Sequence, residues 1–133
     1  MGGHRRVPRA EGPAPVARSV FAKILDGNYL TQRTEVPLRE APDSFSIVAP
    51  HEDGTFTQHY HDARGVSRLY AMTFRDGVWT LLREAADFSP LNFRQRFTAT
   101  FSADGDRIDG AWELAQPGQD WQHDFEMHYR RVG

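Results

Sequence analysis

The stretch TQHYHD, Thr57 to Asp62, places two histidines two residues apart. On a β-strand that spacing sends the imidazoles of His59 and His61 to the same face, an arrangement that many zinc and iron sites use. Such a site needs at least a third ligand from a neighbouring strand. The parity of the run argues against one here. Phe56, Gln58 and Tyr60 form the inward set, and the histidines alternate with them. The pair is expected on the solvent face with no metal bound. His128 also takes an outward parity.

The inward parities hold a different set of polar groups. Gln58, Arg68, Gln95 and His123 interrupt faces that are otherwise apolar, and Tyr60, Tyr70 and Tyr129 join them. Burying an amide or a guanidinium without partners costs several kcal/mol. These groups therefore either satisfy one another in a solid core or line a wet cavity. Aromatic walls with a few converging polar groups are the usual make-up of a small-ligand pocket. The expected cavity is walled by Tyr70, Trp79, Phe97, Trp112, Phe125 and Tyr129, with Trp79 on the parity of Leu81 and Arg83. Arg68 would anchor an anionic or carbonyl oxygen, since a guanidinium suits a planar acceptor. His123 would add one further hydrogen bond.

Three functions compete on this set. One is a module that binds a small apolar or aromatic molecule. Another is an enzyme that uses His123, Arg68 and a tyrosine for acid/base or cyclisation chemistry. The last is a structural or interaction protein with a solid core. No Ser-His-Asp signature or glycine-rich phosphate loop occurs. The strand carboxylates Asp109, Glu113, Asp124 and Glu126 all take outward parities; Glu84 and Asp87 flank a longer loop that would lie at a barrel mouth.

The elements that must position these side chains are strands. Asp-Gly pairs at 26–27, 53–54, 76–77 and 104–105 are two-residue hairpin signals, and Arg64-Gly65 and Pro117-Gly118 mark two more turns. Between them run alternating segments at about 17–25, 28–36, 44–49, 55–61, 66–75, 78–84, 93–102, 107–115 and 120–131. Residues 93–102 show the pattern most clearly: Phe93, Gln95, Phe97, Ala99 and Phe101 oppose Arg94, Arg96, Thr98, Thr100 and Ser102. A sustained 3.6-residue period occurs nowhere, and 85–92, AADFSPLN, reads as a loop or short helical turn. Nine strands in sequence order imply an antiparallel meander. An all-β, up-and-down antiparallel β-barrel of about nine strands follows, because closure removes bare edges; a two-sheet sandwich is the alternative.

The bulk numbers bound the rest. The 133 residues suit one domain, expected over 16–133 after an irregular Gly/Pro/Arg-rich arm at 1–15. Nine Phe, four Tyr and three Trp supply bulk for one core or lined cavity, and a net charge of −2 supports neither nucleic-acid nor anionic-membrane binding. Without cysteine there is no disulfide frame or thiolate chemistry. No apolar run reaches the roughly 20 residues of a membrane span, and no signal peptide is legible, so a cytoplasmic location is expected. Fifteen Arg against one Lys reads as coding bias.

Three segments, HDARGVSRLYAMTFRDGVWTLLRE (61–84), FRQRFTATFSADGDRIDGAWE (93–113) and DWQHDFEMHYRRV (120–132), resemble a bacterial family of small calycin-type barrels. These lipocalin-like proteins have no assigned function and are distantly similar to nitrobindin and the fatty-acid-binding proteins. The resemblance spans roughly 18–132 and implies the barrel fold, since the shared motifs are mainly structural. It departs from the pattern at the start: calycin barrels usually open with a Gly-x-Trp strand, and the first 17 residues here contain no tryptophan. Nitrobindin-like haem binding goes with that opening plus a histidine in the C-terminal half. His123 matches the histidine alone, so no cofactor is expected and haem is the minority reading. The missing strand leaves a gap that the N-terminal arm or a partner subunit, as in a homodimer, would fill.

Overall fold

The computed structural model describes residues 17–37 and 41–132; the arm expected over 1–15 lies outside them. Nine strands follow one another: β1 (Arg18–Ile24), β2 (Tyr29–Glu35), β3 (Ser44–Pro50), β4 (Phe56–Asp62), β5 (Ser67–Arg75), β6 (Val78–Arg83), β7 (Arg94–Phe101), β8 (Arg107–Ala115) and β9 (Gln122–Arg130). They form one sheet in sequence order with every neighbour antiparallel. No helix occurs among the described residues, and none is long and apolar enough to cross a membrane. The all-β, nine-strand, up-and-down architecture is the one that the turn spacing predicts.

The turns explain the registers. Asp76 and Gly77 both take positive φ, 52° and 76°, the pair of left-handed residues that a type I′ hairpin requires. The turn brings Arg75 opposite Val78 and aligns Phe74 with Trp79. Asp53 supports the β3–β4 turn by accepting from the Thr55 amide and hydroxyl, a local side-chain bond that mimics a backbone turn.

The sheet curls until distant strands share one core. Val48, Tyr70, Met72, Trp79, Leu81, Phe97 and Ala99 are buried on the concave face, and Leu30 of β2 and Tyr129 of β9 pack against them. Gln32 of β2 reaches the Tyr129 hydroxyl. Phe97 lies at the centre, 1% exposed. It stacks edge-on against Trp79 and tilted on Trp112, each with ring centroids 5.0 Å apart. Aromatic pairs at this spacing add about 0.5–1.5 kcal/mol beyond the area they bury.

The ladder does not return from β9 to β1 among the described residues. Alternating direction through nine strands leaves the first and last parallel, so they cannot complete an antiparallel ladder with each other. The result is a curled half-barrel with two edges.

One irregularity changes a face. Trp112 pairs with Phe125, but Glu113 pairs with His123, so Asp124 is an extra residue in β9. A bulge of this kind shifts everything beyond it by one position and reverses its parity.

Candidate functional site

Tyr60, Arg68, Arg83 and Gln95 lie at strand ends on one mouth of the half-barrel, all on the concave face. The Gln95 Oε1 accepts from Arg68 Nη1 and from the Tyr70 hydroxyl, each at 3.1 Å. Burial pushes the Tyr70 phenol up despite the Arg68 charge beside it. Arg68 is thus half satisfied: its Nε is buried without a partner. The Gln58 Oε1, on the adjacent strand and paired in register with Tyr70, is also buried without one. A third unpaired atom, Trp79 Nε1, lies deeper among the aromatic rings.

Tyr60 and Tyr70 meet edge to face at 6.3 Å, and Tyr70 meets Trp112 at 5.6 Å. Trp112 continues to Phe125 at 6.5 Å. The Tyr60 hydroxyl donates to Asp62, 2.8 Å away, and burial together with that bond raises the phenol pKa. Burial also works to raise Asp62, but hydrogen bonds from Arg64, Tyr60 and the amides of Arg64 and Val66 outweigh it and hold the carboxyl at about 2. Behind the mouth, the loop after β6 folds back so that Asp87 meets Arg83.

Of the expected set, Gln58, Tyr60, Arg68, Tyr70 and Gln95 come together, with Trp112 and Phe125 beside them. Trp79, Phe97 and Tyr129 lie on the same face but in the packed interior, where burial pushes the Tyr129 phenol up to about 12. His123 does not join them. It is exposed and pairs with Glu113 on the convex face, because the bulge at Asp124 reverses its parity. The same reversal takes Trp121 outward. Its ring lies 4.8 Å from the Arg94 and 4.4 Å from the Arg96 guanidinium carbon, both on the outward face of β7. The expected His123–Arg68 partnership is therefore corrected.

His59 and His61 keep the outward parity. His61 is exposed and bonds Ser67, whereas His59 is half-buried between Ile47 and Leu69 on the neighbouring strands. His128 lies five strands away, held by Asp109 at 2.8 Å and Glu126 at 3.0 Å. No group of three or more His, Cys, Asp or Glu among the described residues is arranged to hold a metal ion.

The two best-formed hollows among the described residues open at the surface. One is lined by Asp104, Asp106, Arg107, Arg130 and Arg131, the other by residues 50–53 and Thr55. Neither is lined by a residue of the buried cluster on the concave face. On that face Tyr70, Trp79, Leu81, Phe97 and Ala99 are buried against one another, while Tyr60, Arg68, Trp112 and Phe125 are half-exposed. Sequence reasoning placed Arg83 inward but gave it no partner. An inward arginine with an aspartate four residues on was the available signal for the Arg83–Asp87 pair.

No protein-family model matches the chain, and no curated protein matches it.

Proposed function

We propose that the protein is a lipocalin-like binding module. It takes a small molecule with a flat apolar or aromatic body and an anionic or carbonyl head at the Arg68 mouth. The observation that carries the reading is the pair of unpaired buried atoms, Arg68 Nε and Gln58 Oε1, on neighbouring strands. Nearly all buried polar atoms find partners, and a donor and an acceptor left open together suit a ligand that supplies both. Tyr60, Trp112 and Phe125 offer the body a half-exposed aromatic wall. The enzyme reading loses its histidine to the convex face. The solid-core reading is favoured by one observation, the burial of Tyr70, Trp79, Leu81, Phe97 and Ala99 against one another on the concave face.

The test is a titration with 1-anilinonaphthalene-8-sulfonate, an aromatic anion, followed by probe fluorescence and tryptophan quenching. Saturable one-to-one binding to the folded protein is expected. Arg68→Leu should weaken it by about 1.5–3 kcal/mol, the range for a hydrogen bond to a charged group, or roughly ten- to hundredfold in Kd. Arg130→Leu, an exposed cation removed from the mouth, should leave it unchanged. Absence of saturable binding, or equal loss in both variants, supports the solid core.

A further inference from the structure

We infer that the β1 edge is the contact through which two copies of this chain pair, antiparallel, about a two-fold axis at Phe21. The two edges of the half-barrel differ. The β9 edge has the devices that discourage strand addition: a bulge at Asp124 and the charges of Glu126 and Arg130. The β1 edge reads RSVFAKI and has no bulge or proline; its two charges, Arg18 and Lys23, flank an apolar centre, Val20-Phe21-Ala22. Val20 is 55% and Phe21 43% exposed. Among the described residues β1 pairs on one side only, and an edge with an apolar centre is a template for another strand.

β9 of the same chain cannot occupy it antiparallel, because it runs parallel to β1. Residues 1–16 carry prolines at 8, 13 and 15 and glycines at 2, 3 and 12. The sequence of this segment shows no alternating apolar run of the kind that the nine strands carry. A second β1 has neither defect, and its register is fixed by geometry. Directly opposed residues must share a face, so a two-fold pairing has to oppose residues of equal parity. Only centring on Phe21 also overlaps all seven residues. It sets Arg18 against Ile24, Ser19 against Lys23, Val20 against Ala22 and Phe21 against Phe21. No like charges face each other, and both central pairs are apolar. The contact is small by the standard of stable dimers, so the dimer should be concentration-dependent.

Sedimentation velocity of the full chain should show a reversible monomer–dimer equilibrium. Phe21→Lys and Phe21→Glu should each lose the dimer while keeping the β-sheet circular dichroism spectrum, since each sets like charges opposite one another on the axis. Mixing the two should restore it. Cross-linking covers the case where either variant fails to fold. The chain has no cysteine, and directly opposed Cα atoms in an antiparallel pair lie about 4.5–5.5 Å apart, within disulfide reach. Mild oxidation should link Phe21→Cys across the pair and leave Leu25→Cys, beyond the end of β1, unlinked. The inference is overturned by a wild-type monomer, which would mean the edge stays bare or is covered by residues 1–16. It is equally overturned by a mixture no more dimeric than its parts, or by equal cross-linking at 21 and 25.

Discussion

The Arg83 guanidinium donates to both oxygens of Asp87, at 2.9 and 2.8 Å, with each side chain only 3% exposed. The pair ties the sheet to the loop that follows it. Arg83 ends β6 on the concave face, and its Nη2 also donates to the carbonyls of Ser89 and Pro90. Asp87 in turn accepts from the Leu69 amide, beyond the last β5–β6 register pair at Ala71 and Leu82. One carboxylate thus replaces a missing ladder partner and neutralises a buried cation. Those bonds, from Arg83 first and then from the amides of Leu69 and Ser89, hold the Asp87 carboxyl well below the usual range, although burial acts the other way.

Removing one partner of a buried pair leaves an uncompensated charge, at a cost of about 3–5 kcal/mol. Asp87→Ala should lose that much in urea unfolding, and adding Arg83→Met should recover part of it. A loss no larger than the about 0.5 kcal/mol of an ordinary surface change would contradict the role given to the pair. The same depressed carboxyls set the acid limit. A group with a lowered folded pKa stabilises fully above its unfolded value, near 3.9 for Asp, and loses that contribution as the pH falls. Asp87 and Asp62, the latter at about 2, should therefore keep the urea midpoint flat with respect to them above about pH 5 and make it fall steeply from about pH 4 to 2. Asp87→Asn should flatten that acid limb.

Gly110 has a steric role. A Cβ there would lie 2.7 Å from the Ala99 Cβ and 2.9 Å from two ring carbons of Phe97. Phe97 is the largest fully buried side chain of the core and cannot swing into solvent. Gly110→Ala should then cost about 1–3 kcal/mol, as overpacking does. Combining it with Ala99→Gly removes one of the clashes and should return part of the loss. Urea midpoints of the two single variants and the double form the cycle; strict additivity would mean the three residues do not press on one another.

Alternation made the concave face legible wherever the ladder is regular. Arg68, Tyr70 and Met72 on β5 and Gln95, Phe97 and Ala99 on β7 lie where parity sends them, and the Asp-Gly turns fix their registers. Parity failed at β9 because WQHDFEMHY alternates without a visible break, while the ladder inserts Asp124 as an extra residue. The adjacent polar pair His123-Asp124 and the outward Arg94 and Arg96 on β7, two cations within reach of an aromatic, were the signals of a reversed Trp121. Which of the concave-face aromatics are buried and which stay half-exposed was not legible, since that depends on how tightly the sheet curls.

The unpaired Gln58 carbonyl gives the proposed site a signature in stability as well as in binding. The residue is 5% exposed, and its Oε1 has no partner. A buried unsatisfied polar group costs about 1–3 kcal/mol, and its register neighbours on the concave face, Val48 and Tyr70, present apolar surface to a replacement. Gln58→Leu is close in volume and removes the unsatisfied atom. It should raise stability by about 1–2 kcal/mol in urea unfolding and weaken the aromatic anion at the Arg68 mouth. Opposite movement of the two quantities is the expected trade at a site whose polar groups serve a ligand. If Gln58 instead served the core through an arrangement that relaxes in solution, the variant would lose stability and leave binding untouched. That outcome would remove Gln58 from the site and leave Arg68 to hold the ligand head.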